Sequence, residues 1–311
     1  MVVKFKEKIT KKIIFITSIA TVFAFIFALS SFFLKPRFKT DILLEPVKIE
    51  SLSSQISSIT GGLGSIGQLA GFDLSSLGGD DRELSEVAQA NLLSRDFFKE
   101  HLYEKFLPYL YAVDYYDKGT KLIVFDEDYY DAKTSIWVER TIPKFISRIT
   151  GNVYDPKPSL EVAYKKFYRD YFSLDEDVKT GFVSLSVNHE SPVVAKEWAE
   201  YILISINEYL RREDSENYKQ IIELLQEEQK KVQLESVQET LSKLLESQTA
   251  TYYLTNTSKY YVYRPIEKPY EAEKKYFPSR TIFLILGFLF GLVLGAIYTF
   301  RKNILSRLLD D

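Results

Sequence analysis

Both ends of the chain carry an uncharged apolar stretch long enough to cross a bilayer. Ile13 to Leu34 holds 22 residues without Asp, Glu, Lys or Arg, and Thr281 to Phe300 holds 20 more. A helix of about 20 such residues spans ~30 Å of hydrocarbon, so whatever lies between must fold while tethered to one membrane at both ends. The sequence therefore predicts five parts: a basic tail at 1–12, a transmembrane helix at 13–34, a soluble region at 35–280, a second transmembrane helix at 281–300 and a tail at 301–311. A cleaved signal peptide is the weaker reading of the first stretch. Its apolar region would be shorter and would end on small residues, whereas Phe32, Phe33 and Leu34 stand there.

Charge sets the expected orientation. Lys4, Lys6, Lys8, Lys11 and Lys12 precede the first span against Glu7 alone, and Arg301 and Lys302 close the second. The positive-inside rule then predicts cytoplasmic termini. The soluble region, with 32 Lys and Arg against 40 Asp and Glu, falls on the far side, which in a Gram-negative inner membrane is the periplasm.

Composition excludes much chemistry. The chain has no cysteine and two histidines, His101 and His189, which removes disulfide scaffolds, thiol nucleophiles and Cys/His zinc sites. A net charge of −3 and a pI near 5.7 supply no basic field for nucleic acid. The acidic runs Asp126, Glu127, Asp128, Asp131 and Asp175, Glu176, Asp177 match no calcium-loop spacing. Lys179, Thr180 and Gly181 spell K-T-G, but its companion motifs are missing. No catalytic residue, cofactor or metal site is expected, and the reading is of a protein that is not an enzyme.

Two small-residue triplets at four-residue spacing stand out: Ala20, Ala24, Ala28 in the first span and Gly287, Gly291, Gly295 in the second. Each puts one helix face within close reach of another helix.

Within the soluble region, seven of thirteen glycines fall in the Gly-rich loop 61–79. Gly62, Gly64 and Gly67 form a G-x-G-x-x-G there, without the buried strand a dinucleotide site needs. Helical spacing runs over Leu84–Leu110 and from Ser159, and strands are expected at Lys121–Phe125 and Thr180–Asn188. From Pro192 to Pro265 there are 72 intervening residues with neither Gly nor Pro. That absence, with a Ser191–Pro192 start signal, predicts a long helix over about 191–250, some 90 Å at 1.5 Å per residue. Leu234, Val237, Leu241 and Leu244 give it a narrow packing seam, within the subunit or between subunits. Helical character is expected to fade at Thr251–Pro265, where a final strand forms. The fold class is α+β: two membrane helices flank an α/β base with a long projecting helical stalk.

This pattern resembles the Wzz-type polysaccharide co-polymerases, or chain length determinants, over nearly the full chain. The resemblance lies in the Lys-rich tail and first span, Glu45 and Pro46, the strand around Gly181, S-P-V-V-A-K-E-W-A-E-Y-I from Ser191 to Ile202 and I-N-E-Y-L-R-R from Ile206 to Arg212. It is most specific in the proline-containing segment 265–280, with Pro265, Pro269, Pro278 and Arg280, leading into the glycine triplet. The family usually has more prolines here, and Ala272 sits where one would be expected. The resemblance implies an inner-membrane homo-oligomer, a closed ring of subunits. It further implies a Wzy-type polymerase as partner and the modal length of a lipid-linked, O-antigen-like polysaccharide as the property controlled. The competing reading is a periplasmic adaptor or export component bridging to an outer-membrane polysaccharide channel. The eleven residues after Phe300 are too few for a kinase or a sensor output module.

Overall fold

The protein, seen in a computed structural model, is described over residues 2–47, 81–150 and 154–309. The Gly-rich loop 61–79, with its G-x-G-x-x-G, lies outside them. The chain forms two compact units, one of residues 1–39 with 272–311 and one of residues 40–271.

Helix α1 (Val2–Ser30) carries the first apolar stretch. It ends four residues before Leu34, the expected limit of the span. Ser30 and Ser31 hydroxyls donate back to the carbonyls of Phe27 and Ala28, both at 2.7 Å, and Phe32 N–H turns to Leu29 O at 3.0 Å. Such local bonds compete with the helix ladder, and Pro36 disfavours helix at Lys35.

The second unit is built on a four-stranded sheet of order β6-β7-β1-β8. Strand β1 (Phe38–Pro46) pairs antiparallel with β8 (Tyr263–Pro265), with Leu44 opposite Pro265, Glu45 opposite Arg264 and Pro46 opposite Tyr263. Strands β6 (Phe172–Glu176) and β7 (Val183–His189) form an antiparallel hairpin running from Phe172↔Val187 to Glu176↔Val183. Its turn holds Lys179, Thr180 and Gly181. Gly181 has φ +70°, a backbone state that costs glycine nothing, so the K-T-G is turn chemistry. Thr40, Ile42 and Leu44 of β1 are buried at alternate positions, the period-two pattern of a strand with one covered face.

Helices cover that face. Helical structure between Asp81 and Tyr111 is not the single run expected. Helix α2 (Asp81–Leu92) stops, Ser94 caps a new start by accepting Phe97 N–H at 3.1 Å, and α3 (Arg95–Phe97) leads through a π turn at Phe98–Leu102 into α4 (Tyr103–Tyr111). Two small hairpins follow, β2 (Val113–Asp117) with β3 (Leu122–Phe125) and β4 (Tyr130–Asp131) with β5 (Ile136–Trp137). Then come α5 (Thr141–Thr150) and α6 (Leu160–Asp170), the latter starting at Ser159 as expected.

Aromatic rings fill the core. Phe106 and Trp198 stack with centroids 4.0 Å apart and planes 5° from parallel, and Phe98 and Phe172 close on Phe167 at 5.4 and 5.5 Å. Much of the chain's aromatic content is therefore interior packing, where offset and edge contacts add to burial.

Helix α7 (Pro192–Lys231) starts on the Ser191 cap, with Pro192 in its first turn. Ala195, Trp198, Ala199, Ile202, Ile206 and Leu210 are buried at three-four spacing, so its first half belongs to the core. The long helix of about 191–250 is corrected here. It ends at Lys231, and after an extended break α8 (Glu235–Thr257) folds back along it. Neither Gly nor Pro marks the break. Lys230 and Lys231 in the last turn of α7 and Glu235 in the first turn of α8 match the two helix dipoles, and Gln238 Nε2 donates to the freed Val232 carbonyl at 2.8 Å. The projecting element is a helical hairpin whose returning arm, the 23 residues of α8, makes it about 35 Å long at 1.5 Å per residue. Helix α8 also runs on through Thr257, past the point where strand character was expected.

Helix α9 (Arg280–Leu309) carries the second apolar stretch. Its window Arg280–Thr299 and the Ile13–Ser30 window of α1 are long and apolar enough to cross a membrane.

Candidate functional site

In the first unit, α1 and α9 pack along the two small-residue triplets. Gly287, Gly291 and Gly295 are buried, as are Ala20 and Ala24, while Ala28 is half-buried. A methyl group added at Gly291 would sit 2.5 Å from Ala20 Cα; at Gly287, 2.7 Å from Phe23 O and 2.9 Å from Ala24 Cα; at Gly295, 3.2 Å from Ile16 Cα. Only glycine admits the first two approaches, because a Cβ there overlaps backbone that cannot swing aside. Phe290 lies between Phe23 and Phe27 with both centroids at 5.7 Å, and Phe15 meets Tyr298 at 5.8 Å.

The segment leading into α9 is tied to the chain that leaves α1. Arg37 N–H donates to Phe277 O at 2.9 Å and Tyr276 N–H donates to Arg37 O at 2.8 Å. Pro278 is buried beside this bridge. The Arg280 guanidinium lies 4.4 Å from the Phe32 ring centroid, a cation–π distance. Pro265 ends β8 and Pro269 is half-buried farther along.

In the second unit, one residue joins helix to sheet. Asn207 is 4% exposed. Its Oδ1 accepts the backbone N–H groups of Tyr261, Val262 and Tyr263 at 2.8, 2.9 and 3.2 Å, and its Nδ2 donates to Leu203 O at 2.8 Å and Tyr263 O at 3.1 Å. Next to it, Arg211 Nη2 donates to the carbonyls of Ser258 and Lys259 at 2.7 and 3.1 Å, closing the C-terminal end of α8. The Tyr261 hydroxyl donates to Asp214. Burial raises the Asp214 carboxyl above its ordinary range, against the lowering effect of that bond. Tyr263 hydroxyl donates to Ser85 O at 2.9 Å, and burial pushes it up to about 12. Sequence reading had Asn207 only inside a resembling motif. Its role was invisible because its partners lie 54 to 56 residues on.

The histidines are structural. His189 is fully buried; Ser191 N–H donates to its Nδ1 at 3.0 Å, and Trp198 lies edge-on at 5.0 Å. Burial holds His101 below its usual range, and its Nε2 has no hydrogen-bond partner. The acidic runs make turns: Asp126 accepts Asp128 N–H at 3.0 Å, and Asp131 accepts Lys133 N–H and Thr134 hydroxyl at 2.9 and 2.7 Å. Among the described residues no three His, Asp or Glu come together as a metal site. An open cleft of about 350 Å³ lies on the hairpin between Arg211, Arg212, Lys219, Tyr252 and Asn256. Ser215 bonds Asn256 at 3.2 Å within it.

No protein-family model and no curated protein matches the chain. Among solved structures it is similar to a full-length bacterial polysaccharide co-polymerase at 12% identity, over 99% of this chain and 97% of that one, with a TM-score of 0.35.

Proposed function

We propose that the protein is a non-catalytic, two-span inner-membrane co-polymerase. In this reading it regulates the modal length of a lipid-linked surface polysaccharide, with its soluble region in the periplasm and both termini in the cytoplasm. The observation that carries the reading is where the resembling segments fall. Ser191–Arg212 supplies the cap, the core stripe and the Asn207 junction that set the hairpin on the sheet. Lys268–Arg280 leads into α9 and its glycine face. The residues that suggest the family are thus the ones that organise this fold.

Assembly into a ring beside a Wzy-type polymerase belongs to the same reading. It is supported by apolar side chains left uncovered along the hairpin: Leu224, Leu234, Tyr253 and Leu254 are each more than 40% exposed. Side-by-side subunits would cover them. The test is the length distribution of surface polysaccharide, resolved as a gel ladder, from a host lacking its own regulator. Expression of the chain is expected to turn a random ladder into a clustered band. An unchanged ladder with the protein correctly inserted and a compatible polymerase present would shift the reading to an export adaptor.

A further inference from the structure

The two arms of the hairpin do not meet through apolar side chains along their whole length. On α7, Glu208, Arg211, Arg212, Ser215, Glu216 and Lys219 recur at three-four spacing, so about three turns of one helix face are polar. Tyr252 and Asn256, one turn apart on α8, stand against them and complete the open cleft of about 350 Å³. That volume falls within the range of roughly 300–1,000 Å³ for small-ligand sites. Its charges are left open. Glu208 with Arg212, Arg212 with Glu216 and Glu216 with Lys219 have the spacing of helix ion pairs, yet among the described residues none of them closes into one. Farther along the hairpin Lys231 does pair with Glu228, and Lys243 with Glu239, both at 2.8 Å. Arg211 is the fixed point of the cleft. Its Nη2 donates to the Ser258 and Lys259 carbonyls at 2.7 and 3.1 Å, which holds the guanidinium in place and neutralises the negative end of α8. Its Nε is buried without a hydrogen-bond partner, a costly state for a charged group and one that an added acceptor relieves. Asn256 Nδ2 donates to Ser215 Oγ at 3.0 Å, so the two arms brace the cleft between them.

We propose that this cleft binds an acidic sugar unit, a hydroxylated ring bearing a carboxylate, within a glycan chain. Arg212 and Lys219, both exposed, and the anchored Arg211 guanidinium supply the donors for the carboxylate; an Arg fork matches its two oxygens. Glu208 and Glu216 accept sugar hydroxyl protons. Those two carboxylates repel a densely charged polyanion, so the mixed set favours one negative charge among many hydroxyls. Tyr252 is half-buried and gives the apolar face of the sugar ring an aromatic wall. Because the cleft is open, the glycan can continue past the bound unit in both directions. The inference deepens the co-polymerase reading and rests on it for the source of the sugar, the growing polysaccharide.

The experiment titrates the full chain in detergent, by isothermal calorimetry, with an oligogalacturonate, its methyl ester, a malto-oligosaccharide of equal length and polyphosphate as a plain polyanion. The oligogalacturonate is expected to bind, with the ester and the neutral chain roughly tenfold weaker, the size of one lost charge-assisted contact. Arg212→Gln/Lys219→Gln is expected to weaken it by roughly tenfold or more on the same grounds. Lys230→Gln/Lys243→Gln, an equal charge change farther along the hairpin, should leave it unchanged. Tyr252→Ala is expected to weaken acid and ester alike, while Tyr252→Phe keeps the ring and the binding. The substituted side chains are exposed or half-buried and Arg211 stays in place, so helix content by circular dichroism should match the wild type. No saturable oligogalacturonate binding, equal affinity for acid and ester, tighter binding of polyphosphate, or equal losses in both double variants overturns the proposal. The gel ladder scored on the same variants separates the two readings. A clustered band from the wild type without probe binding overturns the sugar site alone; probe binding with an unchanged ladder overturns the co-polymerase reading and leaves a sugar site with another source.

Discussion

Asn207 Oδ1 accepts the backbone N–H of Tyr261 at 2.8 Å, across 54 residues of sequence. With two more N–H groups on the same oxygen and two carbonyls on Nδ2, one amide side chain satisfies five backbone groups where the returning chain enters β8. A buried polar group left unpaired costs about 1–3 kcal/mol. Asn207→Ala is therefore expected to destabilise the protein by ~3 kcal/mol or more. Asn207→Asp keeps the acceptor and should lose less. Thermal unfolding in detergent, followed by tryptophan fluorescence, checks the order.

The glycine face predicts a graded series. Gly291→Leu, whose Cβ would sit 2.5 Å from Ala20 Cα, should force α1 and α9 apart. Gly295→Ala, at 3.2 Å from Ile16, should be tolerated far better. Cysteine cross-linking between the two helices reads the separation. Efficient cross-linking in Gly291→Leu at the wild-type pairs would contradict the packing described.

Alkaline pH should loosen the soluble unit. Tyr263 titrates at about 12 in the folded protein against an ordinary 10, because burial disfavours phenolate. A folded pKa above the unfolded one means the stabilisation is complete below pH 10 and is lost as pH rises toward 12. Tyr261 and Tyr168 are shifted upward by burial in the same sense. Melting temperature is expected to fall steeply across that window, and Tyr263→Phe should flatten part of the fall while losing the Ser85 bond.

The Arg264–Glu45 pair supplies the contrast. These residues face each other in β1 and β8, with Nη2 2.5 Å from Oε2, but the side chains are 61% and 37% exposed. Exposed pairs contribute about 0–1 kcal/mol. Glu45→Gln should leave stability nearly unchanged and be insensitive to salt.

Cutting the aromatic core should cost most. Phe106 is fully buried and stacked on Trp198, so Phe106→Ala is expected to destabilise by about 3–5 kcal/mol. A loss under ~1 kcal/mol in the same thermal assay would contradict that packing.

Features written in local composition were legible in advance: the two apolar stretches, the Ser191–Pro192 start of α7 and the apolar stripe of α6. The reversal at Val232–Leu234 was not, because no Gly or Pro marks it and the flanking residues are good helix formers. Only the Lys230–Lys231 and Glu235 charges hinted at two helix ends. The strand expected at Lys121–Phe125 is β3, but its partner β2 and the hairpin β4–β5 were obscure, since strands of two to five residues carry too little periodicity to separate from loop. Asn207 was hidden for a different reason: its partners are backbone groups, and a backbone N–H leaves no mark on residue identity.

The pairing of β1 with β8 has a wider consequence. The chain passes into the soluble unit along β1 and departs along β8, and these strands are immediate antiparallel neighbours, with Ile266 N–H donating to Leu43 O at 2.9 Å. The soluble unit thus begins and finishes at one point on its surface, like a cassette set into a hairpin. Such a cassette can be exchanged whole, lengthened or redrawn by evolution or by an engineer without rethreading the pair of helices that holds it, and a chimera joined at Thr40 and Glu271 is the natural way to transplant it.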